Sequence, residues 1–258
     1  MTEVRLRFHQ AKDIGRPGSL EVILDTLQAL GFKIIDGHVG DLFDPVAKWV
    51  TRDRHPVDED VRRQLHIAYE HGHLEMRAME DRDHRLYEYD YLVFRLELKW
   101  ERGPDNTSVK TRVYLESGYS SHLFNRKEFR EYYAQLLLRL AKELYAILHP
   151  VFGSIDFCSN RTREKDVQAL EIPHIYWANF FGPEYVEKYG KEYFMKAPGW
   201  LHEELDDGGI LYVLAPVMAR RVKGYKALVE EVKAYFGLKS VRCEKKRKTK
   251  RAKRQPNV

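Results

Sequence analysis

The residues best suited to metal or acid–base chemistry are three closely spaced histidines, His66, His71 and His73, with acidic residues beside them. If His71 and His73 lay on one strand, both imidazoles would share a side, and Glu75 could complete a metal site or act as a base. Gly72 instead indicates a helix end, where a histidine is favourable without any metal. We therefore expect a structural role for these histidines. A metal-dependent hydrolase that uses His71, His73 and nearby acids is the third hypothesis.

A second group that could do chemistry consists of the carboxylates Glu203, Glu204, Asp206 and Asp207. They could act as a general acid and base or hold a cation, but a charged hairpin end explains them with fewer assumptions. No glycine-rich phosphate loop precedes a helix in the sequence, and no G-x-S-x-G nucleophile motif occurs. The residues dictate no reaction. The sequence therefore favours a protein that is not an enzyme, with no cofactor and no bound metal.

The segment 176–200 has the densest local pattern in the chain. Nine aromatic residues occupy its 25 positions, which is three times the 12% of the whole sequence. The apolar run before Gly182 predicts a buried strand, Pro183 suits the first position of a helix, and Gly190 suits the end of that helix. An Asp-Gly-Gly turn further along predicts a hairpin between two strands. Most of the density thus specifies a fold.

Some of these aromatic residues are also candidates for binding. The tyrosines of the segment recur at helical spacing and are expected in the core, whereas large aromatic side chains at a surface concentrate binding energy in protein interfaces. We predict a partner-binding surface formed by Trp177, Asn179, Phe181 and Trp200. The helix that begins at Pro183 would position them.

The fold class predicted from the whole pattern is α+β, with an antiparallel β-sheet and a long amphipathic helix and further helices packed on it. Alternating apolar residues indicate strands at 4–8 and 86–100, and the second should form a hairpin with 109–115. The long helix is expected to begin after a cap at Asn125, with Phe124 and Phe129 as a hydrophobic staple, and to end before Pro150.

Shorter signals predict further elements. Ser19 should cap a helix whose buried face contains Val22, Ile23, Leu27 and Leu30. The other predicted elements are a short strand at 32–35, a helical turn at 44–49, a helix at 58–69, a strand at 151–158 and a helix at 225–236.

The chain is long enough for one large unit or two small ones. We expect residues 1–238 to form a single α+β unit, with a division into subdomains 1–84 and 85–238 as the alternative. The N-terminus has no pattern typical of a secretory signal, and no apolar run approaches the roughly 18 to 20 residues that cross a bilayer. A cytoplasmic protein with no membrane partner is therefore expected. Its cysteines, Cys158 and Cys243, should be reduced thiols.

The positive charge of the chain is concentrated at its C-terminal end. The net charge is +5, and residues 239–258 carry +9, so the preceding residues carry −4. A basic tail without apolar periodicity should be disordered, and it could bind phosphate backbones in a salt-dependent manner; a solubilising extension explains it equally well. A nucleic-acid-associated protein is the second hypothesis. Its candidate binding residues are Lys245, Lys246, Arg247, Lys248, Lys250, Arg251, Lys253 and Arg254.

The order of motifs in residues 172–214 resembles a known family. A strand is followed by FFGPEYVEKYG, then by KEYFMKAP, and then by the hairpin EELDDGGILYVL. This order is similar to the C-terminal part of immunity-type proteins found beside bacterial polymorphic and type VI secretion toxins. The resemblance implies an α+β protein without enzymatic activity that binds and blocks a toxin, so a toxin or another defence-system component is the implied partner. It carries over no catalytic residue.

The charge of the chain agrees with this resemblance in one part and departs from it in another. The acidic body would attract a basic nuclease toxin, whereas the basic tail departs from simple toxin neutralisation. Binding to a protein partner is the first hypothesis.

Overall fold

Ten strands and seven helices make up the part of the chain that the computed structural model describes. Those residues are 4–12, 14–40, 45–50, 59–80, 92–100, 112–116, 127, 129–157, 162–218 and 224–238. The strands are β1 (Val4–His9), β2 (Phe32–Gly40), β3 (Pro45–Val50), β4 (His73–Glu80), β5 (Val93–Lys99), β6 (Arg112–Glu116), β7 (Phe152–Phe157), β8 (Ala178–Phe181), β9 (Leu201–Glu204) and β10 (Ile210–Val213). The helices are α1 (Ser19–Ala29), α2 (Glu59–His71), α3 (Arg130–Leu148), α4 (Glu164–Gln168), α5 (Pro183–Tyr189), α6 (Lys191–Met195) and α7 (Tyr225–Tyr235).

All ten strands belong to one antiparallel sheet with the order β3-β2-β4-β5-β6-β1-β7-β8-β10-β9. The first strand of the chain, β1, pairs with β6 on one side and with β7 on the other. It therefore joins strands from the first half of the chain to strands from the second half. The sheet ends at β3 on one edge and at β9 on the other.

The helices form two groups that bury different sets of side chains. Residues of α1, α2 and α3 belong to one apolar cluster that extends along the sheet. Residues of α4, α5, α6 and α7 belong to a second cluster over the strands β7, β8 and β10. Because side chains alternate along a strand, Phe180 of β8 lies in the first cluster and Phe181 lies in the second. Both faces of β8 are thus buried, which explains its unbroken apolar sequence.

The predicted fold class is confirmed, because an antiparallel sheet carries a long amphipathic helix and several shorter helices. The predicted hairpin is also present, since β5 and β6 pair antiparallel. Leu136, Leu140 and Leu144 of α3 are buried as the spacing predicts. The helix ends at His149, whose φ of 41° marks a left-handed cap before Pro150. The predicted cap at Asn125 and staple residue Phe124 lie outside the described residues.

In the first third of the chain one prediction is wrong, one predicted strand is longer than expected, and one strand was not predicted. The predicted helical turn at 44–49 is the strand β3, which pairs with the preceding strand β2, because strand pairing outweighs a weak local helix signal. The predicted strand at 32–35 continues to Gly40, with a bulge between Ile34 and Asp36. The strand β4, with Leu74, Met76 and Ala78 buried in alternation, has no counterpart among the predicted strands.

The start of α1 also differs from its prediction. Gly18, with a φ of 88°, occupies the cap position, and the Ser19 hydroxyl donates backwards to the carbonyls of Ile14 and Arg16. Ile23 and Leu27 are buried as expected, whereas Val22 is 49% exposed. The buried face of α1 is therefore rotated from the predicted one.

No helix among the described residues is long and apolar enough to span a membrane. The predicted tail, residues 239–258, lies outside the described part of the chain, so its disorder stays a prediction. The division into one unit or two stays a prediction, although strands from both halves share the single sheet.

Candidate binding groove between α3 and β9

A groove runs between the exposed side of α3 and the β9–β10 hairpin. It consists of two cavities of about 410 and 320 Å³, and Lys142 and Glu203 line both of them. We call this surface the α3–β9 groove. Its lining residues are Tyr132, Gln135, Leu136, Leu138, Arg139, Lys142, Glu143, Tyr145, Ala146, His149, Leu201, Glu203, Glu204, Leu205, Asp206, Asp207 and Leu211.

The sequence periods of the two elements determine which side chains reach the groove. On α3, Gln135, Arg139 and Lys142 recur at spacings of three and four residues and so share one side of the helix, and His149 lines the groove from the cap that follows α3. The leucines of the opposite side hold α3 against the sheet. On β9, Leu201 and Glu203 alternate with His202, and both line the cavity next to α3.

One ion pair crosses the middle of the groove. The Lys142 ammonium donates to Glu203 Oε1 at 2.5 Å, and both side chains are partly exposed. Pairs of this kind contribute roughly 1 kcal/mol or less to folding. A charged ligand can therefore replace either partner without a large loss of stability.

A buried tyrosine fixes the hairpin to α3 at the acidic end of the groove. The Tyr145 hydroxyl donates to Asp207 Oδ2 at 2.9 Å, and the other carboxylate oxygen of Asp207 accepts the Gly209 N–H at 2.9 Å. Burial raises the pKa of Tyr145, and the negative charge of Asp207 raises it further. Gly209 is tightly placed, because a methyl group there would collide with the Tyr145 hydroxyl. These contacts set the width of the groove at this end.

Removal of this anchor gives the first testable expectation. Tyr145→Phe should lower the free energy of unfolding by about 2 kcal/mol, because a hydrogen bond to a charged acceptor is lost while the ring still fills its site. The measurement is urea-induced unfolding. Tyr193→Phe is the matched control, since the Tyr193 hydroxyl makes a long 3.5 Å bond to the Tyr235 carbonyl. Equal stability of the two variants would show that the Tyr145–Asp207 bond does not anchor the hairpin.

The groove carries an excess of negative charge. Among its lining residues, five carboxylates stand against two permanently charged cations, Arg139 and Lys142. Glu143, Glu204 and Asp206 are exposed to solvent. Charge complementarity across an interface steers association and selects partners. The groove therefore suits a partner whose contacting surface is basic.

The structure separates the four residues of the predicted partner-binding surface. Trp177, Asn179 and Phe181 have no exposed area. Trp177 donates its indole N–H to the carbonyl of Ala215, and Asn179 bonds to the backbone of Tyr176. A partner outside the folded chain does not reach these three side chains. They lie in the core and not at the predicted surface. Trp200 is 43% exposed and immediately precedes β9, and its contact role stays a prediction.

The histidines of the third hypothesis occupy the junction between α2 and β4. His71 is the last residue of α2, and Gly72 has a φ of 67°. His73 Nδ1 accepts the Gly40 N–H at 3.1 Å. Burial lowers the pKa of His73, and the positive charge of Lys99 lowers it further. In the described part of the chain no three His, Cys, Asp or Glu side chains are grouped as metal ligands.

The residues of the second hypothesis, Lys245 to Arg254, lie outside the described residues.

The groove itself is formed by groups that are distant in sequence. Glu203 and Asp207 are among the carboxylates considered above, but their neighbours Lys142 and Tyr145 on α3, and His149 at its cap, are absent from the predicted sites. The available signal was the row of polar residues at helical spacing on a helix whose other side is leucine-rich.

Comparison with known proteins adds information about the fold. No protein-family model matches the chain, and no curated protein matches its sequence. Its structure is similar to that of the Pseudomonas aeruginosa T6SS (type VI secretion system) protein PA0821, with a TM-score of 0.56. The two proteins share a fold. The sequence identity is 11%, and the alignment covers 92% of this chain and 76% of that chain. At this identity the likeness shows the fold alone.

Proposed function

We propose that this chain is a non-enzymatic, cytoplasmic binding protein of the immunity type, which contacts a toxin of a type VI or related secretion system. The α3–β9 groove is the observation that carries the proposal, because it is a partly exposed, acidic surface. The resemblance of residues 172–214 to immunity-type proteins agrees with it. The fold shared with a T6SS protein also supports an association with such a secretion system.

The contacts within the groove favour recognition over catalysis. Lys142 pairs with Glu203, and Tyr145 bonds to Asp207, so these polar groups are held in place by one another. Such mutual pairing presents a fixed pattern of charge to a partner. Trp200, the residue before Leu201 in sequence, is 43% exposed and is the kind of aromatic side chain that anchors protein interfaces.

A growth-protection experiment tests this function. Each protein encoded beside the gene for this chain is expressed in a laboratory bacterium, with and without the chain. We expect one of these proteins to stop growth and the wild-type chain to restore it through a complex that purifies as a single species. If the wild-type chain protects against none of the growth-inhibiting neighbours, the proposed function is wrong.

Charge reversal tests the assignment of the function to the groove. Glu143→Lys combined with Asp206→Lys should weaken the complex by about tenfold or more, because two exposed carboxylates would then repel a basic partner. Glu192→Lys is the matched control, since Glu192 is an exposed residue of α6 whose partner is Lys196. Isothermal titration calorimetry on the purified complex gives the affinities. Protection and affinity equal to the wild type in the double variant would place the contact elsewhere on the chain.

A further inference from the structure

The strand β9 presents unpaired backbone groups along the groove. It is the last strand of the sheet, and among the described strands it pairs with β10 alone. The Leu205 N–H donates to the Gly209 carbonyl at 2.8 Å, and the Leu205 carbonyl accepts the Gly208 N–H at 2.9 Å, so both backbone groups of Leu205 face the side of β10. Hydrogen-bonded pairs alternate with non-hydrogen-bonded pairs. The N–H and C=O groups of His202 and Glu204 therefore point away from β10, toward the open edge.

The side chains of this edge are suited to one kind of added strand. Exposed edges commonly carry charged residues, above all lysine, or proline, which prevent pairing with other chains. The strand β9 reads Leu-His-Glu-Glu, so its charges are acidic and oppose pairing with any strand except a basic one. Leu201 and Glu203 share one face, next to α3, and Asp207 lies at the far end of the groove. A strand beside β9 would place alternate side chains against this face. An apolar residue would meet Leu201, and basic residues would meet Glu203 and the acidic end.

We propose that a basic, extended segment of the partner protein pairs with the open edge of β9 and lies along α3 in the groove. This inference rests on the proposed function and adds the mode of binding. Strand addition of this kind derives affinity from main-chain hydrogen bonds and specificity from alternate side chains. The two outward-facing residues of β9, His202 and Glu204, supply the main-chain partners. The carboxylates of the groove select lysine and arginine in the added segment.

Position 204 allows the backbone contribution to be separated from the charge. Glu204→Pro removes the outward N–H and leaves the β9–β10 bonds intact, because proline is tolerated on an edge strand where its nitrogen faces solvent. Glu204→Ala removes the carboxylate and its ion pair with Lys191 but keeps the N–H. The two variants therefore differ in the one donor that strand pairing needs.

The probes are two fluorescein-labelled peptides of equal charge and length, one alternating lysine with valine and the other alternating lysine with proline. Fluorescence anisotropy measures their binding to the full chain and to both variants. We expect the lysine–valine peptide to bind wild type about tenfold more tightly than the lysine–proline peptide. We expect Glu204→Pro to weaken its binding by about tenfold and Glu204→Ala by about threefold or less.

Several results would overturn strand pairing at β9. These are no binding of the lysine–valine peptide to wild type, equal binding of the two peptides, or equal effects of the two substitutions. Sedimentation that shows a wild-type dimer lost in Glu204→Pro would assign the edge to a second copy of the chain and would also overturn the proposal. Growth protection without peptide binding overturns strand pairing alone. Peptide binding without growth protection overturns the proposed function and leaves strand pairing standing.

Discussion

Phe181→Ala is expected to lower the free energy of unfolding by about 3 to 5 kcal/mol, because it deletes a large buried ring and leaves a cavity. Phe181 has no exposed area, and its ring lies 4.4 Å from that of Phe194, 5.6 Å from that of Tyr185 and 5.7 Å from that of Phe152, between centroids. A typical domain has about 5 to 15 kcal/mol of total stability. The variant should therefore unfold at a much lower urea concentration than the wild type.

The matched control for this prediction is Trp200→Ala, which also removes an aromatic side chain from the predicted partner-binding surface. Trp200 is 43% exposed, so its loss should change the stability by only about 0.5 kcal/mol. The two variants together separate a core residue from a surface residue. If Phe181→Ala unfolded like the wild type and lost only its affinity for a partner, the placement of Phe181 in the second apolar cluster would be wrong.

The segment that contains Phe181 was the most predictable part of the fold, because its signals are local. Pro183 begins α5, and Gly190, with a φ of 86°, follows the last residue of that helix. The Asp-Gly-Gly turn joins β9 to β10. Each of these features depends on the backbone preferences of one or two residues. The local signals do not give the direction of each side chain. For that reason the burial of Trp177 and Phe181 could not be predicted from them.

Sheet order was much less predictable, because it depends on pairing between strands that are far apart in sequence. The N-terminal strand β1 is inserted between β6 and β7, more than a hundred positions further along the chain. Nothing in the alternation of Val4, Leu6 and Phe8 names these neighbours. The strand β3 shows a different limit, because it pairs with its neighbour in sequence, β2, and its extended conformation follows from that pairing rather than from its own residues.

The α3–β9 groove could not be predicted because it depends both on the direction of side chains and on contacts between elements that are far apart in sequence. Lys142 and Glu203 are 61 positions apart, and Tyr145 and Asp207 are 62 apart. The sequence shows that α3 has a polar side and that the hairpin is acidic, but it does not show that the two face each other. That juxtaposition follows from α3 packing over β10 and β8, where Leu211 and Phe180 join its apolar cluster. A groove of this kind becomes visible only when the sheet order is known.

Asn179→Asp is expected to destabilise the fold in a way that depends on pH. Asn179 is fully buried. Its Oδ1 accepts the Tyr176 N–H at 2.9 Å, and its Nδ2 donates to the Tyr176 carbonyl at 3.0 Å. An ionised aspartate would place a carboxylate oxygen beside that carbonyl and bury an uncompensated charge. A protonated aspartic acid could still donate the second hydrogen bond.

Burial should raise the pKa of the introduced carboxyl in the folded chain above the value of about 3.9 that it has in the unfolded chain. The variant should then be closest to wild type below about pH 4, and it should lose about 3 kcal/mol relative to wild type by about pH 7. Urea unfolding of wild type, Asn179→Asp and Asn179→Ala across this range measures the effect. The alanine variant is the control, since it loses both hydrogen bonds without adding a titratable group. Its deficit should stay constant with pH, and a constant deficit in the aspartate variant as well would mean that position 179 is open to water.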